Sequence, residues 1–246
     1  MSSLCLPSGH DLARLNGEKL FFDSRLSGDG TVSCATCHDP ERAFTDGRPV
    51  SVGIHGRVGQ CNAPTLLNAL YNKTQFWDGR VNSLEEQAAL PITNPFEMGS
   101  ASLRDIVEKI SGDPDYQVQF KQAFAEGVNE QKMLRAIATY ERTLVSFDSP
   151  FDHFIAGDKN AISSSAARGW ELFNTKARCN LCHALTDKER DITVFTDNDF
   201  HNIGIGYSGI ASLRWRSRLS TISRQEIYGL STTLQSKASC RRLGAS

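Results

Sequence analysis

No apolar run in this sequence of 246 residues approaches the ~18–20 that a membrane-crossing helix needs, so no membrane span is expected. Charge excess is missing too: 27 Lys and Arg against 28 Asp and Glu leave a formal net charge of −1, which gives no reason to expect a nucleic-acid partner. The balance is uneven, because from Ser208 onward six Arg and one Lys face only Glu226, and the rest is net acidic. Strand signals are sparse, so the fold is expected to be mostly α with long loops. The start, Met1-Ser-Ser-Leu-Cys-Leu-Pro7, lacks the basic and apolar blocks of a secretory leader.

What the sequence does have is Cys34-Ala-Thr-Cys-His38 and its echo, Cys179-Asn-Leu-Cys-His183. In C-x-x-C-H two thiols can add across the vinyl groups of one porphyrin, leaving the adjacent histidine to ligate the iron. Each motif follows the same lead-in, Gly17-Glu-Lys-Leu-Phe21 and Gly169-Trp-Glu-Leu-Phe173, so the chain carries an internal repeat. Two haem modules built alike are expected. A zinc site would want its two C-x-x-C pairs roughly 15–20 residues apart, and these lie in different halves of the chain. The seven cysteines cannot all pair as disulfides.

Between the motifs, periodicity predicts helices. The first carries Leu12, Leu15, Leu20 and Phe21 on one face and stops near Asp23. Residues 39–62 read as loop, with glycines at 53, 56 and 59 around a lone His55, 17 residues beyond His38. Such a loop is mobile enough for its histidine to bind and release a metal. Ser83-Leu-Glu-Glu86 has the capping-box pattern, and Pro91 is expected to close that helix, leaving Gln87 one turn in. Asn94 to Gly99 is a turn presenting Glu97. Leu103, Ile106, Val107 and Ile110 form an apolar stripe; Asp113-Pro114 starts a helix that Gly127 stops; Asn129 caps another bearing Met133, Leu134, Ile137, Tyr140, Leu144 and Val145. Residues 149–160 read as a linker, after which Ser163 starts a helix expected to bury Ala166, Ala167, Trp170 and Phe173.

Leu20-Phe-Phe-Asp-x-Arg-Leu-Ser27, Ser33-Cys-Ala-Thr-Cys-His-Asp-Pro40, Phe44-Thr-Asp-Gly47, Asn62-Ala-Pro-Thr65, Gln75-Phe-Trp-Asp-Gly-Arg80 and Ser146-Phe-Asp-Ser-Pro150 together resemble the bacterial dihaem cytochrome c peroxidases. Lys176-Ala-Arg-Cys-x-x-Cys-His183 and Phe200-His-Asn202 continue the resemblance, which covers about residues 12 to 206. It implies two cytochrome c-like haem domains: an N-terminal peroxidatic one over 12–150 and a C-terminal electron-transfer one over 160–207, followed by an atypical Ser- and Arg-rich tail, 208–246. Cys34, Cys37 and His38 would hold the peroxide-reducing haem, with His55 as its releasable sixth ligand. Cys179, Cys182 and His183 would hold the electron-entry haem. Glu97 and Gln87 match the pair in which a carboxylate moves a proton between the peroxide oxygens and an amide orients them, Trp77 matches a tryptophan between the haems, and Asn62 matches a calcium ligand at the domain interface. The resemblance also implies hydrogen peroxide as substrate, a small cytochrome c or cupredoxin as donor, a homodimer, and a periplasmic location.

The sequence departs from that pattern in two places. The electron-entry haem of the peroxidases takes a methionine as sixth ligand, yet the only methionines are Met1, Met98 and Met133, none beyond the second motif. A related branch, the dihaem oxidases that mature methylamine dehydrogenase, uses a tyrosine there, which makes Tyr207 and His201 the candidates here. The family's C-terminal motifs do not follow residue 207, and the start carries no leader despite haem attachment outside the cytoplasm. A processed or incomplete chain is expected. A dihaem electron carrier, the protein-oxidising branch and an inactive truncated form are the rival readings.

Overall fold

The computed structural model describes residues 8–187 and 192–201. These form eight α-helices, several single 3-10 turns, and one two-stranded antiparallel ladder in which β1 (Thr186–Asp187) pairs with β2 (Ile192–Thr193). The mostly α expectation therefore holds. Among the described residues the chain divides into two compact units, one holding 8–70 and 74–144, the other 71–73, 145–187 and 192–201.

In the first unit, α1 (Gly9–Phe22) begins on a reciprocal capping box, Ser8 with Asp11, and ends as Asp23 takes up extended backbone. Its buried face is Ala13, Asn16, Gly17, Leu20 and Phe21, while Leu15 is 46% exposed. The face is thus rotated from the one the leucines suggest, and Gly17 explains why. A Cβ there would lie 1.9 Å from the Ala136 carbonyl oxygen, so α1 crosses α6 (Glu130–Glu141) backbone to backbone at that point. After α2 (Cys34–Cys37), the helices α3 (Leu84–Thr93), α4 (Leu103–Ser111) and α5 (Pro114–Phe124) complete the wall. Ile106, Ile110, Tyr116, Phe120, Met133 and Ile137 are fully buried in one cluster with Leu20 and Leu26, as the apolar stripes imply.

Three boundaries differ from the sequence reading, the first being that α6 ends at Glu141, so Leu144 and Val145 lie beyond it. Pro91 lies inside α3, which runs on to Thr93; proline removes only its own N–H, and the helix resumes its bonding past it. Helix α5 ends at Phe124 because Ala125 adopts the left-handed conformation, two residues before Gly127.

The second unit corrects the reading more strongly. Its expected linker contains α7 (Pro150–Ile155), started by a Ser149–Asp152 capping box with proline at the first position. On α8 (Ser164–Asn174) Ala166 is exposed, and Ala167, Trp170 and Phe173 are only half-buried. In place of a sealed helix face, Phe151, Trp170, Phe173 and Phe195 form an edge-and-stack cluster with centroids 5.1 to 6.4 Å apart.

Glu141, at the end of α6, is 3% exposed, and its Oε2 is buried without a hydrogen-bond partner. Burial pushes its carboxyl up from 4.5 to about 8, Arg142 partly offsetting this. The folded state holds that proton more tightly than the unfolded chain does. Its stabilising effect is complete below about 4.5 and is lost as pH rises through about 8. Glu141→Gln should remove that loss. The denaturant midpoint of the variant, relative to wild type, should rise between those two pH values and level off beyond them; a difference that stays flat contradicts the assignment.

Candidate functional site

The first C-x-x-C-H forms one helical turn, α2, with Ser33 and Thr36 closing its start. His38 follows as the cap, its N–H bonded to the Cys34 carbonyl at 2.9 Å. Its ring is fixed by the next loop: Nδ1 lies 3.0 Å from the Phe44 carbonyl oxygen. A carbonyl can only accept, so Nδ1 carries the proton and Nε2 keeps its lone pair for an iron. Ala43 and Phe44 both take positive φ, 54° and 57°, which turns that carbonyl back toward the ring. The loop is pinned by Thr45 Oγ1 to the Ala63 carbonyl at 2.6 Å and by Thr65 Oγ1 to the Ala43 carbonyl at 2.5 Å. Burial favours the neutral imidazole of His38, against the raising effects of the Phe44 and Pro64 carbonyls and of Asp46.

Cys34 packs beside Phe21, Leu66, Tyr140 and Leu144. Burial pushes the thiols of Cys34 and Cys37 up to about 12 and about 11, so both are held as neutral thiols. Among the described residues no three His, Cys, Asp or Glu side chains are grouped to hold a metal ion. Two thiols on one turn, with a neutral histidine offering Nε2 next to them, fit a c-type haem.

The second motif repeats that geometry. Cys179–Leu181 is a 3-10 turn, the His183 N–H bonds the Cys179 carbonyl at 2.9 Å, and His183 Nδ1 lies 3.1 Å from the Phe195 carbonyl oxygen. The same tautomer follows. The other described histidines that face a carboxylate through Nε2 are oriented the opposite way: His201 toward Asp197 at 2.8 Å and His153 toward Asp148 at 2.9 Å. His201, a candidate sixth ligand, therefore offers only Nδ1 here. Tyr207 and Asn202 lie outside the described residues.

The remaining candidates lie on three other segments of the chain. The His55 loop is a tight ladder: Val52 pairs with Val58, and the Gly53 N–H bonds the Arg57 carbonyl at 2.8 Å. It is stitched to the Glu97 turn, the Ile54 N–H bonding the Glu97 carbonyl and Arg57 the Pro95 carbonyl, each at 2.8 Å. That turn folds back on α3, the Met98 N–H bonding the Pro91 carbonyl at 3.1 Å and the Ser100 N–H the Ile92 carbonyl at 2.9 Å. Half-buried Gln87, on α3, and half-buried Glu97 thus ride on one continuous piece of backbone. Burial raises the Glu97 carboxyl above its ordinary range, while the Arg80 charge and a bond from Asn94 hold it down in part. Arg80 is held by Asp78 at 2.8 Å and lies 3.5 Å from the Phe76 ring centroid.

Trp77 is half-buried and its indole N–H donates to the Asn62 backbone carbonyl at 3.1 Å. The Asn62 side-chain oxygen is buried without a partner. Sequence reasoning missed Phe44 and Phe195, whose contribution is a backbone carbonyl and carries no side-chain signature; the Asp46-Gly47 turn after Phe44 was the available hint.

Gly53→Ala tests the stitching. A Cβ at residue 53 would lie 2.3 Å from both the Phe96 and Glu97 carbonyl oxygens. The variant should lose roughly 1–3 kcal/mol of stability in denaturant unfolding; a wild-type midpoint would mean the loop and turn are not in contact.

Residues 12–160 match the family model described as di-haem cytochrome c peroxidase. The cytochrome c peroxidase of Escherichia coli (strain K12) is 42% identical over 167 residues, 68% of this chain and 36% of that protein. The methylamine utilization protein MauG of Methylophilus methylotrophus is 41% identical over 192 residues, 77% of this chain and 55% of that protein. Among solved structures, a MauG-like protein associated with microbial copper homeostasis superposes with a TM-score of 0.67 at 34% identity, covering 78% of this chain and 56% of the other. The chain thus spans between about a third and somewhat more than half of these relatives.

Proposed function

The chain belongs to the di-haem cytochrome c peroxidase family, and from that premise we propose that it reduces hydrogen peroxide to two waters, using two protons and two electrons from a small cytochrome c or cupredoxin. The observation that carries this reading is the half-buried Glu97 carboxyl, held with Gln87 on one backbone segment and stitched to the His55 loop. Cys34, Cys37 and His38 would hold one haem, and Cys179, Cys182 and His183 the other. Haem, when bound, supplies an iron that exchanges electrons and takes a peroxide oxygen.

Glu97 is the proton carrier in this scheme. Cleaving the O–O bond into water requires a proton to leave one oxygen and reach the other, and a carboxylate within hydrogen-bond reach can take and return it. Its raised proton affinity favours taking the proton, and activity should fall as pH drops through that raised value, where the base is already protonated. Gln87 is suited to orient the two oxygens, since an amide bonds both ways without titrating. Trp77, braced through Asn62, would serve as an electron relay. His55 would occupy the open iron position until reduction releases it. Calcium at Asn62 is supported by that buried, unpartnered side-chain oxygen, which suits a hard cation. A periplasmic location and a homodimer follow the same reading.

The likeness to the methylamine utilization protein favours a second reading, oxidation of a partner protein. The lone His55 in its Gly-rich loop argues for the peroxidase, because a releasable sixth ligand suits a peroxide site that is closed until needed, whereas the protein-oxidising branch keeps its peroxide haem open. Glu97→Gln should lower peroxide turnover by about 10²–10⁴ with haem content intact; near-normal turnover removes Glu97 from the mechanism. His55→Gly should be active without prior reduction, and an unchanged lag in stopped-flow traces would refute gating.

A further inference from the structure

The loop histidine has a neighbour that neither the haem motifs nor Glu97 and Gln87 account for. His55 Nδ1 lies 3.3 Å from Asp29 Oδ2, with the Asp29 side chain 21% exposed and the His55 side chain 59% exposed. Asp29 is held in place from its other side. Its Oδ1 accepts from the Thr31 N–H at 3.0 Å, the Thr31 hydroxyl at 2.7 Å and the Ser27 hydroxyl at 3.4 Å. Ser27 is fully buried, and the next residue, Gly28, bonds the Met98 carbonyl at 2.8 Å. The carboxylate therefore stands on a rigid support shared with the Glu97 turn, and only Oδ2 faces the histidine. His55 itself sits at φ 54°, a conformation costly for a residue with a Cβ, so its surroundings must hold it there.

Of the three histidines read as iron ligands, His38 and His183 meet a fixed acceptor at Nδ1, and His55 meets Asp29 on the same ring edge. That arrangement leaves Nε2 as the atom open to an iron, and an anionic neighbour at Nδ1 makes the imidazole a stronger donor than a carbonyl does. We infer that Asp29 is a positioning residue which presents His55 Nε2 to the first haem iron and sets how firmly the closed, peroxide-inaccessible state is held. The inference rests on the gating role of His55 given above. It adds the group that tunes it.

The test uses the fully oxidised, haem-loaded full chain and reads the ratio of high-spin to low-spin signal at the first haem by EPR. Asp29→Asn keeps an acceptor oxygen for Thr31 and removes the charge at Oδ2; Asp29→Ala removes both. Each should raise the high-spin to low-spin ratio, by roughly two- to fivefold for a partly exposed pair, with two haems retained and the circular dichroism of the helices unchanged. A ratio equal to wild type, or a shift toward low spin, overturns the proposal. His55→Gly is measured alongside. If it becomes high-spin while the Asp29 variants stay at the wild-type ratio, only the role of Asp29 fails; if it too stays low-spin, His55 is not the ligand and both readings fall.

Discussion

One hydrogen bond, made twice, orders this molecule: a histidine Nδ1–H given to a backbone carbonyl, from His38 to Phe44 and from His183 to Phe195. It fixes the tautomer, and the tautomer decides whether the imidazole next to a C-x-x-C pair can bind an iron. In the first module the bond depends on two consecutive left-handed residues and on threonines that clamp the 43–45 loop to the 63–65 segment. Strained backbone of this kind persists only where the surroundings over-determine it. The Glu97 region is built on the same principle, with the His55 loop, the Glu97 turn and the end of α3 tied together mainly by backbone bonds.

The two modules share a sequence pattern and use it differently. In the first, Gly17 lies against α6 and Leu20 and Phe21 are fully buried, so the lead-in helix belongs to an independent core. In the second, the matching Leu172 is 51% exposed, nothing among the described residues lies within 4 Å of a Cβ at Gly169, and the packing there is an aromatic cluster. The repeat preserves how a helix delivers its cysteines, while burial depends on what each unit packs around that helix.

Much of this was legible beforehand. The C-x-x-C-H spacing, the apolar stripes of α4 to α6 and the caps at Ser83, Asp113 and Asn129 act over a few residues, and the structure realises them. What escaped depends on long-range placement. The expected burial of α8 is only partial, because an apolar period says which face can be buried and not how deeply. The helix within 149–160 was missed although its Ser-Pro-x-Asp cap was in plain view, and the carbonyl of Phe44 could not be read from any side chain. Asp29 lies 26 residues before His55 in the sequence, and its contact with that histidine appears only once the two loops are folded together.

The account stands on both C-x-x-C-H segments carrying thioether-linked haem. A pyridine haemochrome determination on protein matured in a host that performs c-type attachment measures this directly. Two haems per chain are predicted, falling to one when Cys179 and Cys182 are both replaced by alanine. Fewer than two in the unmodified chain would contradict the account.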